Sequence, residues 1–447
     1  MLQLLAIFAL PVFLSEVSGE GEIRTIGTIQ NSNGYFTVSN IRDFPGAVPD
    51  TYLSYLDNSG ESTQGYYLGS QGEAMQLCSF SGKKTILVRK PLQNSVVVLQ
   101  VGGAESRYPA FEDQFMGGVS MFPGMEHLLL AGNDDPSNGP VRVAVINQDM
   151  EVLSNQLFPD VQMEVVSVSL VDGETCVLGS TGLNGWERDV ALFFPGSMEV
   201  LHFIPQSGRF SPVELLPLDE GCIMVCNAIT GENGQIGGLF LMKLDGSLSI
   251  DWTVTLYGES WLSASAADAT GEGIIVTGWT NDLPMSEVNR SDIFLAEFSL
   301  DGDLLWTTTH GGGTVDYGLD VTTCTDGGFA VSGCFADDLY NGLVLRTDSL
   351  GTLEGMGLEE QGTEQPLVSV LQNPSRCGTI GILLPEGIGT DVSVSLIDMS
   401  GRIVERTSAA GGGTAVFTGV PPGVYLVQVS NAQAMNTIKV TVTGGAL

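Results

Sequence analysis

One short pattern, a glycine turn running into an apolar strand, returns seven times along the chain and restricts the fold more than any other feature. Its clearest copy is 325–333, which reads TDGGFAVSG. Asp326-Gly327-Gly328 is a turn signal, because glycine reaches positive φ without steric cost. Phe329 to Gly333 is a short apolar strand that ends on a glycine. The other copies lie at 33–39, 84–89, 127–132, 172–179, 220–226 and 272–278. Gly34 and Gly328 stand six intervals apart, about 49 residues each.

A second element follows most copies at a similar offset. It is an alternating strand closed by a polar turn, as at 51–60, 141–149, 239–246, 293–302 and 343–351. A third strand comes after that turn and twice carries tryptophan, at Trp252 and Trp306. A further strand precedes the glycine turn, as at 318–323. Each unit therefore holds four short strands. A lone four-stranded sheet of this size cannot bury both faces, and radial stacking of such sheets can. The spacing predicts an all-β fold, a seven-bladed β-propeller over 20–355. A parallel β-helix is the alternative, but its repeats are shorter and would not return a hairpin. The 58 glycines suit many tight turns.

Charge narrows the partners. Seventeen Lys and Arg stand against 52 Asp and Glu, a formal charge of −35. Such a surface repels phosphate backbones and argues against nucleic acid. It also disfavours docking to anionic lipid. Its ordinary reading is solubility and self-repulsion. A sharper reading is binding of divalent cations by carboxylates, but no D-x-[DN]-x-[DN]-G loop stands in the chain. No metal or cofactor site is expected.

Residues 1–19 read as a secretory signal peptide. The apolar run 2–14 is too short to span a bilayer, and Val17-Ser18-Gly19 places small residues before a cleavage point at Glu20. No Lys or Arg precedes the run, and no cysteine follows it as a lipid anchor would need. No later stretch is long enough for a membrane helix, so the mature chain is expected to be soluble. Seven cysteines are an odd count for an exported chain. Cys222 and Cys226 lie about 13 Å apart on one strand, too far to bond each other. Cys324 and Cys334 flank a hairpin without standing opposite each other. The cysteines read as small buried hydrophobes, and no spacing among them suits zinc.

Two resemblances follow from residues. The stretch 261–355 resembles bacterial propeller repeats with a D-G-G-[FY]-x-x-x-G core followed by a D-x-x-[LV]-x-[KR]-x-D-x-x-G strand. Residues 341–351, NGLVLRTDSLG, and 292–302, DIFLAEFSLDG, carry the second pattern. That likeness implies a fold and no activity. Beyond an acidic, glycine-rich linker at 356–372, the pattern changes to a small antiparallel module at 373–447, predicted as an immunoglobulin-like β-sandwich. It is similar to the type A C-terminal sorting domain of the type IX secretion system. The motif residues are met in order: Asn373-Pro374, then Asp398, Gly401 and Arg402 within 394–404, then Gly423 and Tyr425 within 423–429, then Lys439. Cys377 and the extension 443–447 depart from the family pattern. The resemblance implies the secretion machinery as a partner, with a secreted or outer-membrane-associated location.

Chemistry is hard to find. His127, His202 and His310 fall in different units, and neither His-x-x-x-His nor Gly-x-Ser-x-Gly occurs. His310-Gly311-Gly312-Gly313 reads as a loop between blades. No catalytic residue is assigned. Trp252 and Trp306 occupy equivalent positions and read as packing between blades, whereas Trp261 and Trp279 are candidates for an exposed binding platform. Two functions stay open. A binding or structural propeller should have no dense cluster of carboxylates with raised pKa values in its central channel. A polysaccharide hydrolase or lyase should show paired carboxylates with raised pKa values in that channel and aromatics on one face. A protein or glycan ligand would be expected where the copies differ, at the loops 134–138, 231–235 and 281–289.

Overall fold

The structure is a computed structural model. It describes residues 13–17 and 22–353, apart from loop segments at 44–46, 69–71, 102–108, 136–138, 182–188, 204–208, 231–235, 258–260, 272, 282–290, 312–314 and 337–339. In the C-terminal unit it describes 369–370, 375–376, 379–384, 392–398, 403–410, 413–421, 423–430 and 435–443. The chain divides into two compact units, 1–356 and 357–447.

Seven four-stranded antiparallel sheets make a seven-bladed β-propeller. Blade one contains Glu22–Asn31, Gly34–Arg42, Asp50–Leu56 and Ser62–Tyr67. Blade two contains Glu73–Phe80, Lys83–Lys90, Ser95–Val101 and Ala110–Glu112, and blade three Val119–Pro123, His127–Asn133, Pro140–Asn147 and Val152–Gln162. Blade four contains Glu164–Val171, Glu174–Thr181, Asp189–Phe194 and Glu199–Phe203, and blade five Arg209–Pro217, Cys222–Thr230, Ile236–Leu244 and Ile250–Tyr257. Blade six contains Trp261–Ala269, Gly273–Asn281, Asp292–Ser299 and Leu304–His310. Blade seven takes Val315–Thr323, Phe329–Ala336 and Tyr340–Thr347 from one stretch of chain and Phe13–Val17 from another. Every repeated glycine-turn strand is the second strand of its blade. The first strands touch one another all the way round, including blade seven against blade one, and so form the innermost ring.

Apolar side chains meet between blades. A separate core fills each of the seven seams, built from alternate residues of facing sheets. The seam from blade three to four is typical, with Leu129, Val141, Phe158, Met163, Val177 and Phe193 among its buried residues. Among the described residues the core of the seam from seven to one is small, with Tyr35, Leu56, Cys324, Ala330 and Val344. There Arg346, 1% exposed, donates from Nε to the Tyr35 hydroxyl at 2.8 Å and from Nη2 to Asp326. Trp252 and Trp306 do pack between blades. The Trp252 ring comes within 3.1 Å of where a Cβ on Gly302 would stand, and the Trp306 ring comes closer still to that of Gly351. Both are turn glycines of the following blade, with φ of 88° and 70°.

The six described cysteines are buried and unbonded. Burial pushes the thiols of Cys78, Cys222, Cys226 and Cys334 up to about 12, and that of Cys324 up to about 11. Cys377 lies outside the described residues.

The second unit is all strand among its described residues. Ser369–Val370, Thr379–Leu383 and Thr414–Thr418 form one sheet, and Ser375–Arg376, Met435–Thr443, Gly423–Ser430, Val392–Asp398 and Ile403–Ala409 form another. The two share one core around Ile380, Val394, Phe417 and Val427. Ser369–Val370 pair with Ile382 and Leu383 although they fall at the end of the stretch read as a linker.

Candidate functional site

The axial channel is built by a local irregularity that repeats. In six of the seven innermost strands a bulge interrupts pairing with the second strand, and one residue is left over. The extra residues are Ile26, Met75, Val166, Val213, Ser265 and Leu319. All are half-buried, which suits a bulge that re-aims a side chain out of the sheet. They form a collar that is apolar except at Ser265. Blade three alone pairs its innermost strand without a bulge.

In blades two, four, five and seven the residue after the bulge faces the seam, as does Ser120 at the matching place in the unbulged blade three. Gln76, Ser120 and Ser167 accept hydrogen bonds from the backbone N–H groups of Met121, Val168 and Leu215 in the next blade, at 2.8, 3.3 and 3.4 Å. Asp320 does the same for Thr28 of blade one. Glu214 holds the corresponding place in blade five and accepts the Ser167 hydroxyl at 2.5 Å. Asp268, two residues beyond it in blade six, accepts the Thr323 N–H at 2.7 Å. A second clasp sits beside several bulges. Asn40 accepts from the Ala74 N–H and donates to its carbonyl, and Asn227 does so with Ala264. Asn133 spans Val165 N–H and Met163 C=O in the same manner.

Glu214, Asp268 and Asp320 thus gather on consecutive blades around the axis. Each keeps some surface yet is enclosed by protein, as in a narrow channel. Burial pushes Asp320 up to about 8, with the charges of Asp268 and Glu214 adding to it. Burial also raises Glu214 to about 7 against the Ser167 hydrogen bond. Asp268 is raised by burial, opposed by its bonds from Thr323 and Ala269. Among the described residues no group of His, Cys, Asp and Glu could hold a metal ion.

Above the collar, where blades seven, one and two meet, lies a cavity of about 220 Å³. Ile26, Met75 and Leu319 give it an apolar floor. Its walls carry Glu22, Arg24 and the Arg42–Glu73 ion pair at 3.0 Å. Arg24 lies 4.4 Å over the ring of Tyr340. The collar is apolar, but the raised carboxylates Glu214, Asp268 and Asp320 are what is expected of a hydrolase and not of a binding propeller.

The singled-out residues are dispersed. Trp261 is buried, with its ring where a Cβ on Gly237 would stand. Trp279 is half-buried and meets Tyr317 edge-on at 6.0 Å. His127 and His202 are exposed on separate blades. His310 bonds the Gly351 carbonyl at 2.8 Å, and burial lowers its pKa. Of the variable loops, Asp134 forms a two-pronged pair with Arg142 at 2.6 and 2.7 Å. Asn281 is buried, and 136–138, 231–235 and 282–289 lie outside the described residues. In the C-terminal motif, Asn373, Pro374, Gly401 and Arg402 also lie outside them. Asp398, Gly423 and Lys439 stand in strands, and Tyr425 is buried with its hydroxyl donating to the Pro421 carbonyl at 3.0 Å. The collar and its seam acceptors escaped the sequence reading, because a bulge is a matter of register between strands. Glutamate and aspartate at matching places in two innermost strands were the available signal.

No family model matches the chain, and no curated protein sequence matches it. Solved structures do. Drosophila Semaphorin 1b, extracellular domains 1–2, is 7% identical with a TM-score of 0.45, covering 76% of this chain and 87% of that one. TolB from Acinetobacter baumannii is 12% identical with a TM-score of 0.39, covering 66% and 80%. Pyrococcus horikoshii acylaminoacyl peptidase is 9% identical with a TM-score of 0.44, covering 83% of this chain and 59% of that longer one. Likenesses at this level carry no argument about what this chain does. Among the described residues no helix is long and apolar enough to cross a membrane.

Proposed function

We propose that the protein is an exported propeller, extracellular or held at the cell surface, that binds a protein or glycan rather than transforming one. Export would run through the leader 1–19 and the module 373–447. The observation that carries the binding reading is the engagement of the channel carboxylates. Asp268 and Asp320 each accept a backbone N–H of the next blade, and Glu214 holds the Ser167 hydroxyl. Groups committed to the ring in this way serve its closure. The cavity over the collar offers apolar and charged surface together, as a recognition site needs.

The hydrolase or lyase reading keeps one specific support. A carboxyl still protonated near neutral pH is what a general acid requires, and Glu214 and Asp320 are both raised into that range. Incubation of the purified chain with a polysaccharide panel separates the two. No release of reducing or unsaturated ends is expected. Release that disappears in the Glu214→Gln, Asp320→Asn double variant would establish the enzyme instead. Export has its own test: deletion of 373–447 should hold the chain in the periplasm, and undiminished secretion would end that reading.

A further inference from the structure

The fourth place in blade seven is filled from an unexpected part of the chain. In blades one, three, five and six the third strand ends in one common turn. Its first residue donates its N–H to the carbonyl four residues on and accepts the N–H of the residue three on, as Asp57, Asn147, Asp245 and Ser299 do. The outer strand then begins at Ser62, Val152, Ile250 or Leu304, opposite Leu56, Ile146, Leu244 or Phe298. Blade seven has the same turn, with Asp348 N–H to Thr352 C=O at 3.0 Å and Gly351 N–H to Asp348 C=O at 3.1 Å. Yet the residues opposite Arg346, Leu345, Val344, Leu343 and Gly342 are Phe13, Leu14, Ser15, Glu16 and Val17. These five lie within the stretch read as a removable leader, upstream of the expected cut after Gly19. One segment cannot be both discarded and the outer strand of a finished blade.

We propose that the outer edge of Tyr340–Thr347 is a strand seat, filled by Phe13–Val17 in the uncut chain and emptied when the leader is removed. The occupant is argued from its register: five consecutive pairs, antiparallel, in the place where the other blades put their fourth strand. Emptying the seat bares a row of backbone N–H and C=O groups, and such an edge takes up an extended peptide by main-chain hydrogen bonding. The uncut chain is therefore closed at this edge, and the cut chain is receptive. The emptying rests on the export reading above, whereas the seat does not.

Amide hydrogen exchange tests the seat directly. The chain is produced in the cytosol as 1–447 and as 20–447. The edge-facing amides among 342–346 should exchange about tenfold faster or more in 20–447, with 329–336 unchanged. A synthetic peptide of residues 11–19 should restore their protection. Equal exchange in the two chains, or no response to the peptide, overturns the seat. Should 20–447 fail to fold, Leu14→Pro and Ser15→Pro in the full chain replace it. Successive N–H groups of a strand point to opposite sides, so one of the two removes a bond to the edge and must raise exchange at 342–346. If neither does, the seat is refuted. N-terminal sequencing of the exported chain tests the emptying separately. A start at Glu20 supports it, and a retained Met1 removes it while leaving export through 373–447 standing.

Discussion

Two seams of the same ring are closed by different chemistry. Between blades three and four the apolar core is broad, Asn133 clasps the incoming strand, and the Ser120 hydroxyl accepts the next N–H. The side chains named there are all neutral. Between blades seven and one the apolar core among the described residues is small. The work passes to a buried Arg346 bound to Asp326 and Tyr35, and to Asp320 in the place that Ser120 holds. A ring built from repeats must still join its last copy to its first, and of the two seams compared that join is the one that buries an ion-paired arginine. Burying an arginine is costly unless it is paired and hydrogen-bonded, so the charged seam depends on few atoms. The neutral seam spreads its stability over many contacts.

The comparison is broken most severely at Arg346. Arg346→Met leaves Asp326 without its partner and the Tyr35 hydroxyl without its donor, and about 3 kcal/mol of stability should be lost in chemical denaturation. Adding Asp326→Asn should return part of it, since replacing both members of a buried pair costs less than removing one. A single variant as stable as the parent would show that the small core closes the seam unaided. The matching cut in the neutral seam is Asn133→Ala. It strands the Val165 N–H and the Met163 and Gly139 carbonyls, and about 2 kcal/mol should go. A loss larger than that of Arg346→Met would reverse the ranking of the two seams.

The neutral features were the more legible in sequence. Gly34, Gly173, Gly221 and Gly327 all have positive φ, so a turn that only glycine serves well marks the second strand of several blades. Trp252 and Trp306 could be placed between blades because they recur at one offset. Asp326 was read as a turn residue and nothing more. Its bond to Arg346 links positions 20 apart in sequence, and no local pattern scores such a pair. The one hint lay in blade seven, where the Asp of D-G-G and the basic residue of the following strand occur together. The collar and the acceptors at 76, 120, 167 and 320 were hidden for another reason. A bulge shifts which face a residue takes, and alternation alone cannot reveal where the shift falls. The outer strand of blade seven was out of reach because its residues lie at the other end of the propeller's sequence.

The finest test of the comparison is pH. Asp320 is raised to about 8 in the folded chain, against an ordinary carboxylate value in the unfolded one. Between about pH 4 and 8 the folded chain therefore holds a proton that the unfolded chain has lost. Stability should be greatest at the acid end of that window and fall as pH rises through it, by at most about 1.4 kcal/mol per pH unit for each such carboxyl. Asp320→Asn keeps an acceptor for Thr28 without the titration, so its melting temperature should decline less between pH 5 and 9. Gln76→Glu places a carboxyl at the same position between blades two and three, where the nearby charge is the Arg89 guanidinium, bound to the Gly117 carbonyl. Burial acts at both sites, but only Asp320 has Asp268 and Glu214 as charged neighbours. The Gln76→Glu chain should therefore gain a slope of the same sign and smaller size. An equal gain would assign the pH dependence to burial alone and remove clustering as its cause.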